Sequence, residues 1–506
     1  MATNLEELLT RAREATSPAA VADLRRTPVG GVDPLGLRQV NFDMMDQVLP
    51  GLNNVASSIR PFLMMTWAWR LCGRLVERTG ESSVDVMRDF VDRLEAIFAW
   101  SQFLANPDSD LPGSQALTAL SAADEYRFEG EGWQKLRDTR RFSTGLISPL
   151  NYGPGLRSMD WIRDLSTYLD IPIRKAGAYK SNPEDDPILE EALDAFEALI
   201  ADELDHEVFT KFGGVTLTRS DAERLGSKWS MQEQTQAGQN ATWKRLHSGY
   251  ANAIRAKGLA LVCEVAHPGM EVSDFRRRMA FPDSDEIPDD LKQVSIAWRR
   301  LQYRQLFRLA LEALFYWTIE LLDGNEPMTS EAIAEALLAA TNVKNAAPSG
   351  REALASIETD ANPVDMLDEL ATVIRQQREL PQKIFEALVL CVAHAPNEPE
   401  DFERADRLPL ASAAKQWAEW SALSPVAFLT NIFESWIFAQ HTYWSVGRGM
   451  RDARGGGKRI LRLRIFIDEG GWRLTPGTRT GVWPNPTPDR LATAVSLMRQ
   501  CGRLTG

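Results

Sequence analysis

The sequence lacks the short motifs by which many enzymes that handle nucleotides, metals or acyl groups are recognised. It has no Gly-x-x-x-x-Gly-Lys-Ser/Thr phosphate loop, no Gly-x-Gly-x-x-Gly, no His-Glu-x-x-His and no Gly-x-Ser-x-Gly. Few segments before residue 459 show the periodicity of strands, which excludes most α/β catalytic folds. These absences favour a non-enzymatic protein, and we predict no catalytic residue and no cofactor.

Cysteines and long apolar runs are also scarce. The four cysteines, Cys72, Cys263, Cys391 and Cys501, are far apart in mostly apolar surroundings, which predicts reduced, structural thiols. No run reaches the roughly 18 to 20 apolar residues of a membrane span, and the first residues lack the apolar core of a signal peptide. We expect a cytoplasmic protein that does not enter a membrane.

Net charge is negative before residue 447 and positive after it. The chain of 506 residues carries −13, but residues 447–506 contain twelve basic and four acidic residues, so they carry +8 and the remainder carries −21. An acidic chain does not bind nucleic acid over its whole surface, so such binding needs a local basic patch. The C-terminal stretch supplies that patch.

A helical period runs through most of the chain and predicts a mainly α fold, a multi-helix body with a small C-terminal α/β module. The clearest helices are Ile59–Thr79, with Pro61 in its first turn, and residues 289–322. Changes in composition, periodicity and charge along the chain predict three domains. Their bounds are 1–285 (N-terminal helical), 286–446 (second helical) and 447–506 (basic hairpin plus helix).

A β-hairpin is predicted near the C-terminus. Arg462 and Arg464 alternate with apolar residues at the period of a half-buried strand, and Asp468-Glu469-Gly470-Gly471 supplies the turn. With a helix predicted over residues 489–500, this arrangement resembles a winged-helix module whose arginines face a phosphate backbone. Docking on the acidic remainder of the chain or on a partner is the alternative, and a solvated face is a third.

Two helices carry arginines at four-residue spacing, which places them on one face: Arg70, Arg74 and Arg78, with Arg60 near them, in the first, and Arg300, Arg304 and Arg308 in the second. Each set either pairs with carboxylates of neighbouring helices or lines a groove for phosphate, because like charges at this spacing repel unless an anion offsets them. Thirteen residues are candidates for binding nucleic acid. Five are on these helices, namely Arg70, Arg74, Arg300, Arg304 and Arg308, and eight are in the C-terminal stretch: Arg448, Arg451, Lys458, Arg459, Arg462, Arg464, Arg473 and Arg479.

The strongest acidic feature is the run of residues 183–207, which contains eleven acidic residues and no basic one. Such a run is typical of a solvated helix face. The alternative is that it docks on a basic surface, either in this chain or in a partner.

One pattern of residues is typical of a metal site. Glu203-x-x-His206 and Glu264-x-x-His267 have the Glu-x-x-His spacing of di-iron helical bundles, although the acidic surroundings make a chance match easy. We predict no metal site but keep a divergent metal-dependent hydrolase or nuclease as an alternative function. His441 lies in a segment rich in Trp and Phe, which favours a hydrogen-bonded core histidine over a catalytic base.

Two segments resemble a known family. The first contains Pro50-Gly51, Ile59-Arg60-Pro61-Phe62 and Trp67-Ala68-Trp69, and the second is AQHTYWSVGR, residues 439–448. Both are similar to an uncharacterised family of bacterial proteins, a domain of unknown function encoded beside helicases and nucleases in anti-phage defence islands. The resemblance implies a role in defence against foreign DNA and carries over no catalytic residue.

The sequence therefore leads to one main hypothesis, a non-catalytic, nucleic-acid-associated subunit of a bacterial anti-phage defence complex. Its expected partners are the other subunits of such a system, including a helicase or nuclease, and DNA. Besides the metal-dependent enzyme, a helical scaffold without nucleic-acid contact is the alternative.

Overall fold

The chain forms two compact units in a computed structural model. Unit 1 comprises Met1–Asn41 and Tyr303–Pro486, and unit 2 comprises Phe42–Gln302 and Thr487–Gly506. The structure describes residues 33–81, 83–106, 111–113, 117, 124–164, 179–181, 186–283, 287–343, 347–357, 360–396, 407–454 and 462–504. Compact units are not the same as independently folding domains, so the three-domain division stays a prediction.

The described residues are mainly helical and include a small C-terminal sheet, which confirms the mainly α part of the predicted fold class. The helices up to residue 322 are α1 (Arg38–Met45), α2 (Ile59–Thr79), α3 (Val84–Ala105), α4 (Gly130–Thr139), α5 (Gly153–Ser158), α6 (Pro187–Ala198), α7 (Glu207–Thr210), α8 (Arg219–Lys228), α9 (Gln236–Leu246), α10 (Asn252–Glu264), α11 (Val272–Ala280) and α12 (Lys292–Leu322). The later helices are α13 (Ser330–Ala339), α14 (Gly350–Leu354), α15 (Pro363–Gln376), α16 (Leu380–Ala393), α17 (Leu410–Trp420), α18 (Pro425–Asn431), α19 (Ala439–Arg454) and α20 (Leu491–Gln500).

The strands are short and pair in antiparallel couples. In unit 2, β1 (Glu125–Arg127) pairs with β4 (Thr216–Thr218), and β2 (Ile162–Asp164) pairs with β3 (Tyr179–Ser181). In unit 1, β5 (Ile465–Asp468) pairs with β6 (Gly471–Leu474). Short π-helical turns at Arg140–Thr144 and Ile432–Phe438 and 3₁₀ turns at Ala201–Glu203 and Asp289–Leu291 complete the described elements.

The core of unit 2 is built around α2. Its period places apolar side chains on most sides, and Gly80 ends it in a left-handed conformation (φ +74°) with its N–H donating to the carbonyl of Val76. Trp67 packs against a ring cluster in which Phe196 stacks on Trp229 with centroids 6.0 Å apart. The helix that the sequence marked most clearly is therefore a core helix.

The predicted hairpin is present in unit 1. Its register places Ile465 opposite Leu474 and Phe466 opposite Arg473. The hairpin belongs to unit 1 and the final helix α20 to unit 2, so the winged-helix identity of the C-terminal stretch stays a prediction.

Candidate nucleic-acid interface

The hairpin is held on unit 1 through β6. The N–H of Trp472 donates to the carbonyl of Met328 at 2.8 Å, and the N–H of Met328 donates back at 3.0 Å. The Trp472 ring packs on Phe438, and its Nε1 donates to Ser330 Oγ at 3.0 Å. The apolar face of the ribbon is thereby fixed against its own unit, so the opposite face is the one turned outward.

Hydrogen bonds at residue 464 fix the segment that follows β6. The carbonyl of Arg464 accepts from the Thr475 N–H and from Thr478 Oγ1, both at 2.9 Å, so the backbone next to Arg479 lies beside the start of β5. Two residues further along β5, Phe466 is opposite Arg473. Arg473 on β6 and Arg479 in the segment after it therefore both flank β5, whose residues rise by about 3.3 Å each.

Both of these arginines are exposed. Arg473 Nη1 lies 3.1 Å from Asp468 Oδ2 on the same hairpin, with both side chains partly open to solvent. A surface pair of this kind contributes little, so a phosphate can compete for the guanidinium. Among the described residues, no carboxylate pairs with Arg479. Arg473 and Arg479 form what we call the hairpin cation pair.

Strand periodicity predicted that the Arg464 side chain faces outward, but the side chain is buried. The residue is 6% exposed, and its guanidinium lies 4.8 Å from the centroid of the Tyr316 ring. The strand begins only at Ile465, so the two-residue alternation does not extend to Arg464. Its side chain packs inside unit 1 and cannot contact phosphate in this conformation.

The remaining predicted residues of the C-terminal stretch lie before β5, on α19 or outside the described residues. Arg462 is half-buried, and its carbonyl accepts from Ser445 Oγ on α19 at 3.3 Å. Arg448 and Arg451 lie on α19, of which only the backbone is described at those positions. Lys458 and Arg459 lie outside the described residues.

The arginines of α12 are mostly buried. Arg304 and Arg308 are fully buried, whereas Arg300 is half-buried. Arg304 donates to the carbonyls of Arg407 and Leu408, and Arg308 donates to the carbonyl of Asn485 at 2.8 Å. Because these guanidinium groups bind carbonyls inside unit 1, we leave Arg304 and Arg308 out of the proposed interface.

The arginines of α2 pair with the acidic run, which confirms the first of the two alternatives for this set. Arg70 Nη1 lies 3.0 Å from Glu190 Oε2 and 2.8 Å from Asp194 Oδ1, while Arg74 pairs with Glu197. Glu190, Asp194 and Glu197 recur at helical spacing on α6, so one face of that helix meets the arginine face of α2. Carboxylates of the chain itself occupy the predicted groove.

Other acids of the run also bind bases of unit 2. Asp186 Oδ2 lies 2.5 Å from Arg245 Nη2, and Asp202 and Glu203 bind Lys228. Much of the acidic run therefore docks on basic residues of this chain, as the second interpretation proposed, rather than forming a purely solvated face.

Residues that the sequence reasoning missed form a buried polar cluster in unit 1. The carboxylate of Glu312 is bound by Arg308 (2.7 Å) and lies near Arg38 and Asp33. Burial raises the pKa of Glu312 to about 7, although Arg308 acts in the opposite direction. The four-residue spacing of Arg308 and Glu312 was the available signal, but Asp33 and Arg38 come from a distant segment.

His441 is a hydrogen-bonded core histidine, as predicted. Its Nδ1 donates to the carbonyl of Pro34 at 2.9 Å, and its Nε2 accepts from the N–H of Arg464 at 3.0 Å. Burial lowers the pKa of His441 to about 4. The neutral ring thus joins α19 to residue 34 and to the approach of the hairpin.

The residues of the metal-like pattern have other partners. Hydrogen bonds from Arg224 and Lys228 lower the pKa of Glu203 to about 2. His206 Nδ1 accepts from the N–H of Val208 at 3.2 Å and caps α7. Across the described ranges, no group of three or more His, Cys, Asp or Glu side chains could hold a metal ion.

Unit 1 also contains a polar cleft of about 460 Å³. Its lining includes Asn342, Glu369, Gln382, Lys383 and Glu386. Lys383 Nζ lies 3.0 Å from Glu369 Oε2 and 2.6 Å from Glu386 Oε2, so the charged groups of the cleft pair with one another. This internal pairing gives no indication of a ligand.

Comparison with known proteins identifies no relative: no family model, no curated protein and no solved structure matches the chain. Within the described residues, no helix combines the length and the apolar character that crossing a bilayer requires.

Proposed function

We propose that the protein is a non-catalytic, nucleic-acid-associated subunit of a bacterial anti-phage defence complex, with DNA as its ligand. The observation that carries the nucleic-acid part is the hairpin cation pair, because Arg473 and Arg479 are exposed on one short run of chain. Exposed guanidinium groups near one another bind successive phosphates. The defence part, with helicase or nuclease subunits as partners, depends on the sequence resemblance alone.

The charge distribution supports the same site. Residues 447–506 carry +8, whereas the rest of the chain carries −21. The acidic run pairs largely with basic residues of its own unit. We therefore do not expect this acidic run to be the partner of the hairpin cation pair. An anionic ligand from outside the chain fits these facts.

Fluorescence anisotropy with labelled DNA over a salt series tests the proposal. We expect binding whose logarithmic affinity falls linearly with the logarithm of salt concentration, because phosphate contacts release counterions. The double variant Arg473→Glu/Arg479→Glu should weaken binding and reduce the salt slope by about one per lost phosphate contact.

A matched control separates this site from a general charge effect. Arg351 and Arg375 are exposed arginines of unit 1 outside the C-terminal stretch, and Arg351→Glu/Arg375→Glu changes the net charge equally. That control should bind like the wild type. Equal weakening by both double variants, or no DNA binding by the wild-type protein, would overturn the proposal, and the second result would favour a scaffold.

A further inference from the structure

We infer that the hairpin interface accepts single-stranded nucleic acid in preference to a duplex. This inference rests on the proposed function and names the form of the ligand. It follows from how the ribbon is covered and from which side chains remain on its outer face.

One edge of the ribbon is covered, which hinders it from lying in a groove of duplex DNA. A two-stranded ribbon reads a duplex by lying in the major groove. Here the edge of β6 is occupied, since Met328 pairs with Trp472, and a side-chain carbon on Gly471 would lie 2.5 Å from the backbone of Met328. Glu469 and Gly470 at the tip are exposed. The hairpin therefore offers its outer face rather than the edge of β6.

That outer face combines an aromatic ring with a guanidinium group. Phe466 and Arg473 are directly opposite in the register of β5 and β6, and side chains so placed have Cβ atoms about 4.5 to 5.5 Å apart. Phe466 is half-buried, so part of its ring is open, and Arg473 is exposed. A base can stack on such a ring while the adjacent arginine contacts its phosphate.

Stacking on aromatic side chains needs bases with a free face, which unpaired strands have and the interior of a duplex lacks. Because every base has such a face, we expect little sequence preference.

The test compares three labelled probes of about 16 nucleotides, the upper site size of one oligonucleotide-binding fold. The probes are a thymidine oligonucleotide, a DNA duplex of the same length and a uridine oligonucleotide. We expect the wild-type protein to bind the single-stranded DNA at least about tenfold more tightly than the duplex. The uridine probe separates DNA from RNA as the source of the single strand, and tight binding of either supports the inference.

Two variants of Phe466 isolate the stacking contribution. Phe466→Leu keeps an apolar side chain but removes the ring, and should weaken single-strand binding by about five- to hundredfold, as loss of one stacked base does, while duplex binding is unchanged. Phe466→Tyr keeps the ring and should bind like the wild type. Circular dichroism of both variants checks that the fold is retained.

Two results would overturn the inference while leaving the proposed function intact. One is duplex binding as tight as single-strand binding. The other is a Phe466→Leu variant that folds and binds the single strand like the wild type. Failure of the wild-type protein to bind any of the three probes would instead reject the proposed function itself.

Discussion

Arg308 Nη1 lies 2.7 Å from Glu312 Oε2, and both side chains are almost completely buried. The groups facing this pair are Arg38 and Asp33 from the N-terminal segment and Tyr316 from the next turn of α12. Taking a charged pair out of water is costly unless its hydrogen bonds are satisfied. Protonation of Glu312 removes one of the two charges.

This pair predicts a pH-dependent stability of definite sign. Burial raises the pKa of Glu312 from 4.5 to about 7, so between those values the folded protein holds a proton that the unfolded chain has lost. Stability from this group is therefore lost as pH rises from about 5 to about 7. We expect the melting temperature of the wild type to fall relative to Glu312→Gln across that window.

The matched control for this prediction is Glu434→Gln, which alters an exposed carboxylate of the same unit. Its difference from the wild type should not change over the same window. Melting curves in which the wild type and Glu312→Gln keep a constant difference from pH 5 to pH 7 would contradict the assignment.

Glu197 predicts the opposite dependence in unit 2. Burial acts to raise the pKa of Glu197, but hydrogen bonds from Arg74 and Trp67 outweigh it and hold the pKa below its ordinary value. Stability from this group is present above the unfolded pKa of 4.5 and is lost as pH falls through the folded value.

Glu197→Gln should therefore destabilise the protein by about 1 kcal/mol at neutral pH, a figure reduced for solvent screening. The deficit should shrink as the pH falls below about 4. Thermal unfolding from pH 3 to pH 7 measures it. Asp194→Asn, at a carboxylate whose side chain is 73% exposed, is the control and should have a smaller effect. A deficit that grows in acid would refute the assignment.

Gly36 cannot be replaced without disturbing α19. Its φ is +72°, and a side-chain carbon there would overlap the ring of Trp444. Gly36→Ala should cost about 1 to 2 kcal/mol for the left-handed backbone and about 1 to 3 kcal/mol more for the collision. Gly324→Ala, at φ +75° with open space around it, isolates the backbone cost.

Urea denaturation of both alanine variants measures the difference. In the Trp444→Ala background, Gly36→Ala should cost only the backbone term, so the double-mutant cycle of the two substitutions gives the collision term. If Gly36→Ala and Gly324→Ala cost the same, Trp444 is not the obstacle.

Arg93 on α3 is a buried structural cation, and replacing it should strongly destabilise the protein. The side chain is fully buried and donates to the carbonyls of Val208 (3.1 Å), Lys211 (2.7 Å) and Gly213 (2.6 Å). Arg93→Met removes the donor of three carbonyls, of which that of Val208 is buried, and should cost on the order of 3 kcal/mol. Arg127→Met, at an arginine whose side chain is 71% exposed, should change the melting temperature little.

Local patterns in the sequence predicted several elements closely. The bounds of Ile59–Thr79 follow from an apolar helical period that begins beside Pro61 and stops at Gly80. The turn of the hairpin follows from Asp468-Glu469-Gly470-Gly471, because the required backbone conformations favour glycine. Each of these signals lies within a few residues of the element that it predicts.

The candidate site was harder to predict because its exposure depends on residues far away in the chain. Helical spacing correctly placed Arg304 and Arg308 on one face, but it could not indicate that the carbonyls of Leu408 and Asn485 cover that face. The pairing of Arg70 with Glu190 likewise joins residues over a hundred positions apart. Periodicity identifies a face of a helix but not what covers it.

The pairing of Met328 with Trp472 has a consequence for how the protein behaves at high concentration. A two-stranded ribbon normally presents unpaired N–H and C=O groups on each side, and such groups invite strand addition from another molecule and the growth of fibrils. Two hydrogen bonds from the loop before α13 occupy those groups at Trp472. Shortening that loop should therefore expose the unpaired edge of β6 and promote self-association before it reduces the stability of the helices.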